Sequence, residues 1–252
     1  MPDAAAMLLA ARRNPVFRMS ALPATLRPAD KAAAYAIQHK VAQSFGAIGG
    51  WKVGASGPEA VPLCGALPAA SIVPSPATLA AASSFIRGIE AEICFCLATD
   101  LPPRPVPYSR EEVCAAIASA HPAIEVLESR YLDPDSVDAW SNLADTQSHG
   151  GFVHGAPVTK WQDIDFARET VEQYVDGTLQ KSRTGNPAGD MIRLVMWLAN
   201  EGAVWAGGLK AGQFVTCGSW TGKSVVGPSA EVRVRFPSLG EVLLTYAESP
   251  SA

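Results

Sequence analysis

The sequence lacks any apolar run approaching the roughly 20 residues that a membrane-spanning helix needs. It also lacks a basic stripe: 20 Lys and Arg stand against 24 Asp and Glu, a net charge of −4, and the charges are scattered. Nucleic acid is therefore not an expected partner, and no acidic block marks a disordered tail. Cysteine is scarce and odd in number, with Cys64, Cys94, Cys96, Cys114 and Cys217 at irregular spacing. That pattern argues against a disulfide framework and for reduced, mostly buried thiols. The Ala-rich segment from Met1 to Ala11 carries its positive charges, Arg12 and Arg13, after the apolar stretch, the wrong order for a secretory signal. It reads as a helix, and the protein as cytoplasmic.

What the chain does have is apolar material: 48% of its 252 residues are hydrophobic and 17% charged, enough for a sizeable core. Ala34, Ile37, Val41 and Phe45 recur on one helical face, which Gly46, Gly49 and Gly50 end. Trp51 to Gly54 is a short extended piece, and Pro58 to Pro76 reads as a long connection with little regular structure. Phe85 to Leu97 has the pattern of a strand. Ser109 to Ala120 is predicted as a helix opened by a Ser109–Glu112 capping box. Ala123 to Leu127 and Gly150 to Val158 read as strands, and Asp176-Gly177 inside Val171 to Leu179 signals a hairpin. Pro187 to Asn200 is predicted as a helix. Gln213 to Cys217, then the alternating sets Val232, Val234, Phe236 and Val242, Leu244, Tyr246, read as strands. The fold class is α+β, with a helical segment over residues 1–70 and a β-rich domain over 71–252. Regular βαβ alternation is missing, so a doubly wound sheet is not expected.

Chemistry is concentrated at Gly88-Ile89-Glu90-Ala91-Glu92-Ile93. In a strand, residues two apart share a face, so Glu90 and Glu92 project side by side. Adjacent carboxylates repel each other, and a hard divalent ion relieves that repulsion. A third acid, Glu125, sits in the apolar strand Ala123 to Leu127. A Glu-x-Glu pair is commonly just a solvated face, but Cys94 and Cys96 continue this one. The same cysteines leave open a zinc site with mixed Glu and Cys ligands, although Cys-x-Cys on one strand lacks the usual zinc spacing.

Arg87 to Ile93 resembles the metal-binding strand of the fumarylacetoacetate-hydrolase superfamily, and Pro122 to Val126 is similar to its third-ligand strand. Gly50-Trp51-Lys52-Val53-Gly54 resembles its lysine segment. Ala144 to Val153 resembles its Asp-Asn-x-Ser-x-Gly segment. Gly185-Asn186-Pro187 ahead of Val195 to Asn200 is similar to a helix of the 2-keto-4-pentenoate hydratase-like branch. Leu209 to Gly212, leading into Thr216 to Ser219, resembles a late glycine-rich region. The matches keep the family's order from about residue 50 to 247.

The resemblance implies one Mg²⁺ or Mn²⁺ held by Glu90, Glu92 and Glu125, and a small-molecule 2-oxo acid chelated through its oxo and carboxylate oxygens. It implies Lys52 as the proton carrier, with a lowered pKa, and Ser148 as a polar contact to substrate or metal-bound water. Asp145, Trp220 and Lys223 are candidate substrate contacts, Trp220 as a pocket wall and Lys223 for a second carboxylate. A homo-oligomer is implied, with no nucleic acid or membrane partner. Three positions depart from the pattern: Ala70 where an acid is common, Thr146 for Asn, and Asn186 for His.

These departures leave four readings open. The first is a hydratase that adds water to a 2-hydroxy-2,4-dienoate. The second is a decarboxylase of 2-oxo-3-enedioates, which needs a further cation such as Lys223 or Arg130. The third is an acylpyruvate hydrolase, for which His121, His149 and His154 offer no recognisable helper motif. The fourth is a non-catalytic family member.

Overall fold

The structure is a computed structural model that describes residues 3–81 and 84–247. Its centre is an antiparallel pair of long strands, β5 (Gly88–Leu97) and β6 (Ile117–Leu127). On one side of the pair, β10 (Phe214–Thr216) connects β5 to β1 (Ile48–Gly54), and β2 (Leu63–Pro68) closes that edge. On the other side lie β7 (His149–His154) and β3 (Ile72–Pro74), while the short β11 (Ser224–Val225) pairs with the start of β5. A second sheet runs in the order β4 (Ala77–Ala80), β13 (Gly240–Ala247), β12 (Glu231–Phe236), β8 (Thr170–Val175), β9 (Thr178–Thr184).

Alternation along the strands creates the core. Ile89, Ala91, Ile93 and Phe95 of β5 are fully buried on one face, in one cluster with Ile124, Val126, Val232, Val234, Val242 and Leu244. Burial of this kind contributes about 25 cal/mol per Å² of apolar surface and holds the two sheets together. The opposite face of β5 and β6 carries the acids. A smaller cluster forms where α1 (Ala4–Arg13), α2 (Lys31–Gln43) and α4 (Ala139–Ala144) pack around Leu22, Tyr131 and Leu143. Each of these helices opens on an aspartate cap, Asp3, Asp30 or Asp138, that accepts a backbone N–H of the first turn. Met1 and Pro2, included in the predicted N-terminal helix, lie outside the described residues.

The α+β class holds, and several predicted elements shift. The segment between Pro58 and Pro76 contains β2 and β3, so a division at residue 70 falls within one sheet. The Ser109 helix has its capping box, but α3 (Arg110–Ala116) stops at Ala116 and the chain turns directly into β6. Burial on both faces of a central strand overrides the helical propensity of Ala116 to Ala120. Pro122 is accommodated inside β6 because its nitrogen faces the end of β7, where its carbonyl accepts Gly155 N–H at 2.8 Å. The Asp176-Gly177 hairpin is present, both residues at positive φ (50° and 74°) between β8 and β9. The Pro187 helix is shorter than predicted: α5 (Met191–Trp197) passes into a wider π turn over Leu198–Gly202.

Candidate metal centre

The register of β5 on β6 places Glu90 directly opposite Glu125, with Glu92 two residues along the same face. One ligand oxygen from each of the three acids lies within 4.8 Å of the others. They sit in a cleft of about 560 Å³ that is also lined by Lys52, Asn142, Gln147, Ser148, Asn186, Ser219 and Lys223. Glu92 and Glu125 are buried and Glu90 half-buried.

Lys52 Nζ donates to Glu125 Oε1 at 2.6 Å and to the Gln147 carbonyl at 3.3 Å. His149 Nδ1 lies 3.3 Å from the same Glu125 Oε1, and Glu125 Oε2 is buried with no protein partner. Thr216 Oγ1 donates to Glu92 Oε2. Burial, then the neighbouring Glu125, holds the Glu90 carboxyl above its usual range; the same two causes, joined by Glu90, hold Glu92 well above it. Burial also acts to raise Glu125, but Lys52 and His149 outweigh it and its pKa is lowered. For Lys52, burial acts to lower the pKa and the three carboxylates outweigh it, so the net shift is upward. The lowered value that the resemblance implies belongs to an amine beside a cation; without one, three acids around the amine favour the ammonium.

The donor set is all oxygen, crowded, dry on its inner side, and carries one acceptor atom that no group among the described residues satisfies. These properties fit a hard divalent cation. Cys94 and Cys96 lie further along the strand, opposite His121 and Ser119, and do not line the cleft, so the mixed zinc site has no thiolates to use.

The turn before β7 is unusual. Thr146, Gln147 and Ser148 follow one another at φ of 55°, 50° and 62°, a left-handed turn without glycine. Non-glycine residues held this way cost about 1–3 kcal/mol each, and they cluster at functional sites. The turn aims the Gln147 carbonyl at Lys52 and brings Ser148 to the cleft, where its Oγ donates to Asn142 Oδ1 at 3.3 Å. Gly65 makes room for it: a Cβ there would meet Thr146 Cγ2 at 2.7 Å.

The structure thus brings Lys52, Glu90, Glu92, Glu125, Ser148 and Lys223 into one cleft. It does not bring Asp145 or Trp220. Asp145 is buried in an ion pair with Arg130, which also donates to the carbonyls of Asp145 and His149 at 3.0 Å each. Arg130 is thereby also withdrawn from any role at a substrate carboxylate. Trp220 is fully buried, edge-on to Phe236 with ring centroids 5.2 Å apart, and belongs to the core rather than to a pocket wall. Ala70 is exposed on the turn between β2 and β3 and does not line the cleft. His149, which the sequence offered without a recognisable helper motif, serves the site, and so do Thr216 and the Gln147 carbonyl, which were not singled out. His149 takes its place from strand register, which no local motif reports.

No protein-family model matches the chain. In sequence it is 28% identical to 4-oxalocrotonate decarboxylase of Pseudomonas sp. over 162 residues, 61% of this chain and 58% of that one. The chain spans about half the length of the curated relatives it matches, 58% of one and 50% of the other. In structure it matches 4-oxalocrotonate decarboxylase from Pseudomonas putida G7 complexed with magnesium and adipate, with TM-score 0.83, 24% identity, and 96% and 95% of the two chains covered. The same enzyme complexed with calcium and acetate matches at TM-score 0.74 and 26% identity over 86% of each chain. A yeast fumarylacetoacetate hydrolase family protein shares the fold at TM-score 0.60 and 14% identity, over 80% of this chain and 93% of that one. The fold is that of fumarylacetoacetate hydrolase family proteins, as the order of the chain's motifs implied.

Proposed function

We propose that the chain is a divalent-metal-dependent lyase that decarboxylates a short 2-oxo-3-enedioate, with Mg²⁺ or Mn²⁺ held by Glu90, Glu92 and Glu125. The observation that carries this reading is the make-up of the cleft. The carboxylate triad and Lys52 lie at its buried end, a second cation, Lys223, stands at its rim, and among the described residues no lining side chain outside the triad is an unpaired base that could activate water. Among the described residues the only other acid in the lining is Asp135, which pairs with Lys223 at 2.5 and 2.7 Å, an exposed pair that a substrate carboxylate would replace. Hydration, the first reading from sequence, requires such a base; decarboxylation does not. The likeness to proteins named as decarboxylases, one of them complexed with a dicarboxylate, supports the same choice.

When bound, the ion would supply Lewis acidity and a fixed anchor for the substrate's adjacent oxo and carboxylate oxygens. The rest belongs to the chain's own residues. Lys223 attracts the distal carboxylate and sets the direction in which the substrate lies. Leu63, Ile86 and Leu127 line the cleft with apolar surface, which favours loss of a charged carboxylate as neutral carbon dioxide. In 2-oxo-3-hexenedioate the electron pair of the C5–C6 bond moves along the conjugated chain to the 2-oxo oxygen. Lys52, the one amine beside the triad, is the candidate to give the proton that this oxygen gains. The products are carbon dioxide and 2-hydroxypenta-2,4-dienoate. Assembly into a homo-oligomer belongs to this reading and rests on the resemblance; a cytoplasmic location rests on the order of apolar and basic residues from Met1 to Arg13.

The test is to offer 2-oxo-3-hexenedioate and 2-hydroxypenta-2,4-dienoate separately to the purified protein with Mg²⁺. Trapped carbon dioxide from the first, with the dienoate accumulating, supports decarboxylation. Consumption of the second to a 4-hydroxy-2-oxo acid, without carbon dioxide from the first, replaces it with hydration.

A further inference from the structure

We propose that His149 is the positioning residue of the metal centre: its Nδ1–H holds Glu125 by Oε1 and so leaves Oε2 facing the ion. The inference rests on the metal reading above and concerns how one ligand is oriented.

Glu125 is divided in its contacts. Oε1 receives Lys52 Nζ at 2.6 Å and faces His149 Nδ1 at 3.3 Å, whereas Oε2 is buried and receives nothing. A buried carboxylate oxygen without a donor is unfavourable by more than a neutral group would be, so its orientation needs a cause. Two donors on one oxygen supply that cause, because together they fix the carboxylate plane where a single flexible ammonium would let it turn.

His149 is itself fixed from three directions. Its ring is fully buried, and Nε2 lies 3.0 Å from Ser71 Oγ. Its carbonyl receives Arg12 Nη2 and Arg130 Nη1, each at 3.0 Å. Ser71 Oγ has one proton and two acceptors within reach, His149 Nε2 at 3.0 Å and the Pro68 carbonyl at 2.8 Å. In the neutral ring that serves Glu125, Nδ1 carries the proton and Nε2 takes the one from Ser71. The order Ser71, His149, Glu125 is the arrangement by which an outer histidine orients a ligating carboxylate, and loss of such a residue commonly costs 10–100-fold in metal affinity.

The experiment is a Mn²⁺ titration of the full chain, read by the electron paramagnetic resonance signal of free Mn²⁺, with thermal unfolding of each variant in parallel. Wild type should bind one Mn²⁺. His149→Leu should bind it about 10–100-fold more weakly. His149→Asn, which keeps an N–H near the Nδ1 position, should recover most of that loss. If His149→Leu does not fold, Ser71→Ala replaces it: it removes the hydroxyl shared by Nε2 and the Pro68 carbonyl and should weaken Mn²⁺ binding with little change in melting temperature. Wild-type affinity in His149→Leu, or in Ser71→Ala where that variant stands in for it, overturns the inference and leaves the metal reading intact. Equal loss in His149→Asn and His149→Leu also overturns it, because packing alone then explains the effect. Failure of the wild type to bind Mn²⁺ sinks the metal reading and this inference with it.

Discussion

The ammonium of Lys52 on β1 reaches Glu125 on β6 at 2.6 Å, over the two strands β10 and β5 that lie between them in the sheet. One contact thus joins a residue near the start of the chain to a ligand from its middle, and both are largely dry, with side-chain exposures of 12% and 1%. Removing one partner of a buried pair is strongly destabilising, because the other charge is left without compensation. Lys52→Met should therefore lower stability by about 3 kcal/mol in denaturant unfolding without metal. With Mg²⁺ present it should reduce kcat by at least about 100-fold, the typical contribution of a placed proton carrier.

Glu92 behaves in the opposite sense. It is buried beside two other acids, with Thr216 as its one hydrogen-bond donor. In chelator, Glu92→Gln should raise stability by about 1 kcal/mol, which for a chain of this size is about 2–4 °C in melting temperature. Added Mg²⁺ should raise the wild-type melting temperature and leave that of the variant unmoved. Calorimetry with and without Mg²⁺ reads both effects.

The two fates of the acidic residues show how far the sequence reaches. A period of two is enough to put Glu90 and Glu92 on one face, and both are found there. Glu125 is 33 residues further on, and only the pairing of β5 with β6 makes it their neighbour. Asp145 was a candidate because Ala144 to Val153 resembles a family segment, and Trp220 because it could wall a pocket beside Lys223. Arg130 claims the first and Phe236 the second, and neither contact leaves a local trace. The same limit explains β6: an Ala-rich stretch after a good helix cap reads as helix until burial on both faces makes it a strand.

The left-handed turn offers a steric prediction. Gly65→Ala would press its new methyl on Thr146 Cγ2, 2.7 Å away, and push the turn that carries Gln147 and Ser148. A loss of about 1–3 kcal/mol is expected, with a fall in kcat. Thr146→Ser removes the methyl in the way, so the double variant should recover both stability and turnover. Additive losses in the double-mutant cycle would refute the contact.

Lys223 should affect substrate rather than structure. Its ion pair with Asp135 is open to solvent, where such pairs contribute little. Lys223→Gln should leave the melting temperature and Mn²⁺ affinity unchanged while raising KM for the enedioate about tenfold, the equivalent of 1.4 kcal/mol of binding. Competition by a dicarboxylate should weaken in parallel, and competition by a monocarboxylate should not.

His149 gives the metal-free protein a pH signature. Burial is the chief reason its pKa falls from 6.5 to about 4. Between those values the unfolded chain takes up a proton that the folded chain refuses, so this residue's contribution to stability is lost as pH falls from 6.5 towards 4. In chelator, the difference in unfolding free energy between wild type and His149→Asn should change across that window and stay flat from pH 7 to 8.

The most direct measurement is anomalous diffraction from crystals grown with Mn²⁺, collected at the manganese edge. A single strong peak bounded by Glu90, Glu92 and Glu125, on the Oε2 side of Glu125, is the predicted result. A peak elsewhere, or no peak at this triad while solution binding is saturated, would contradict the assignment of these three glutamates as the metal centre.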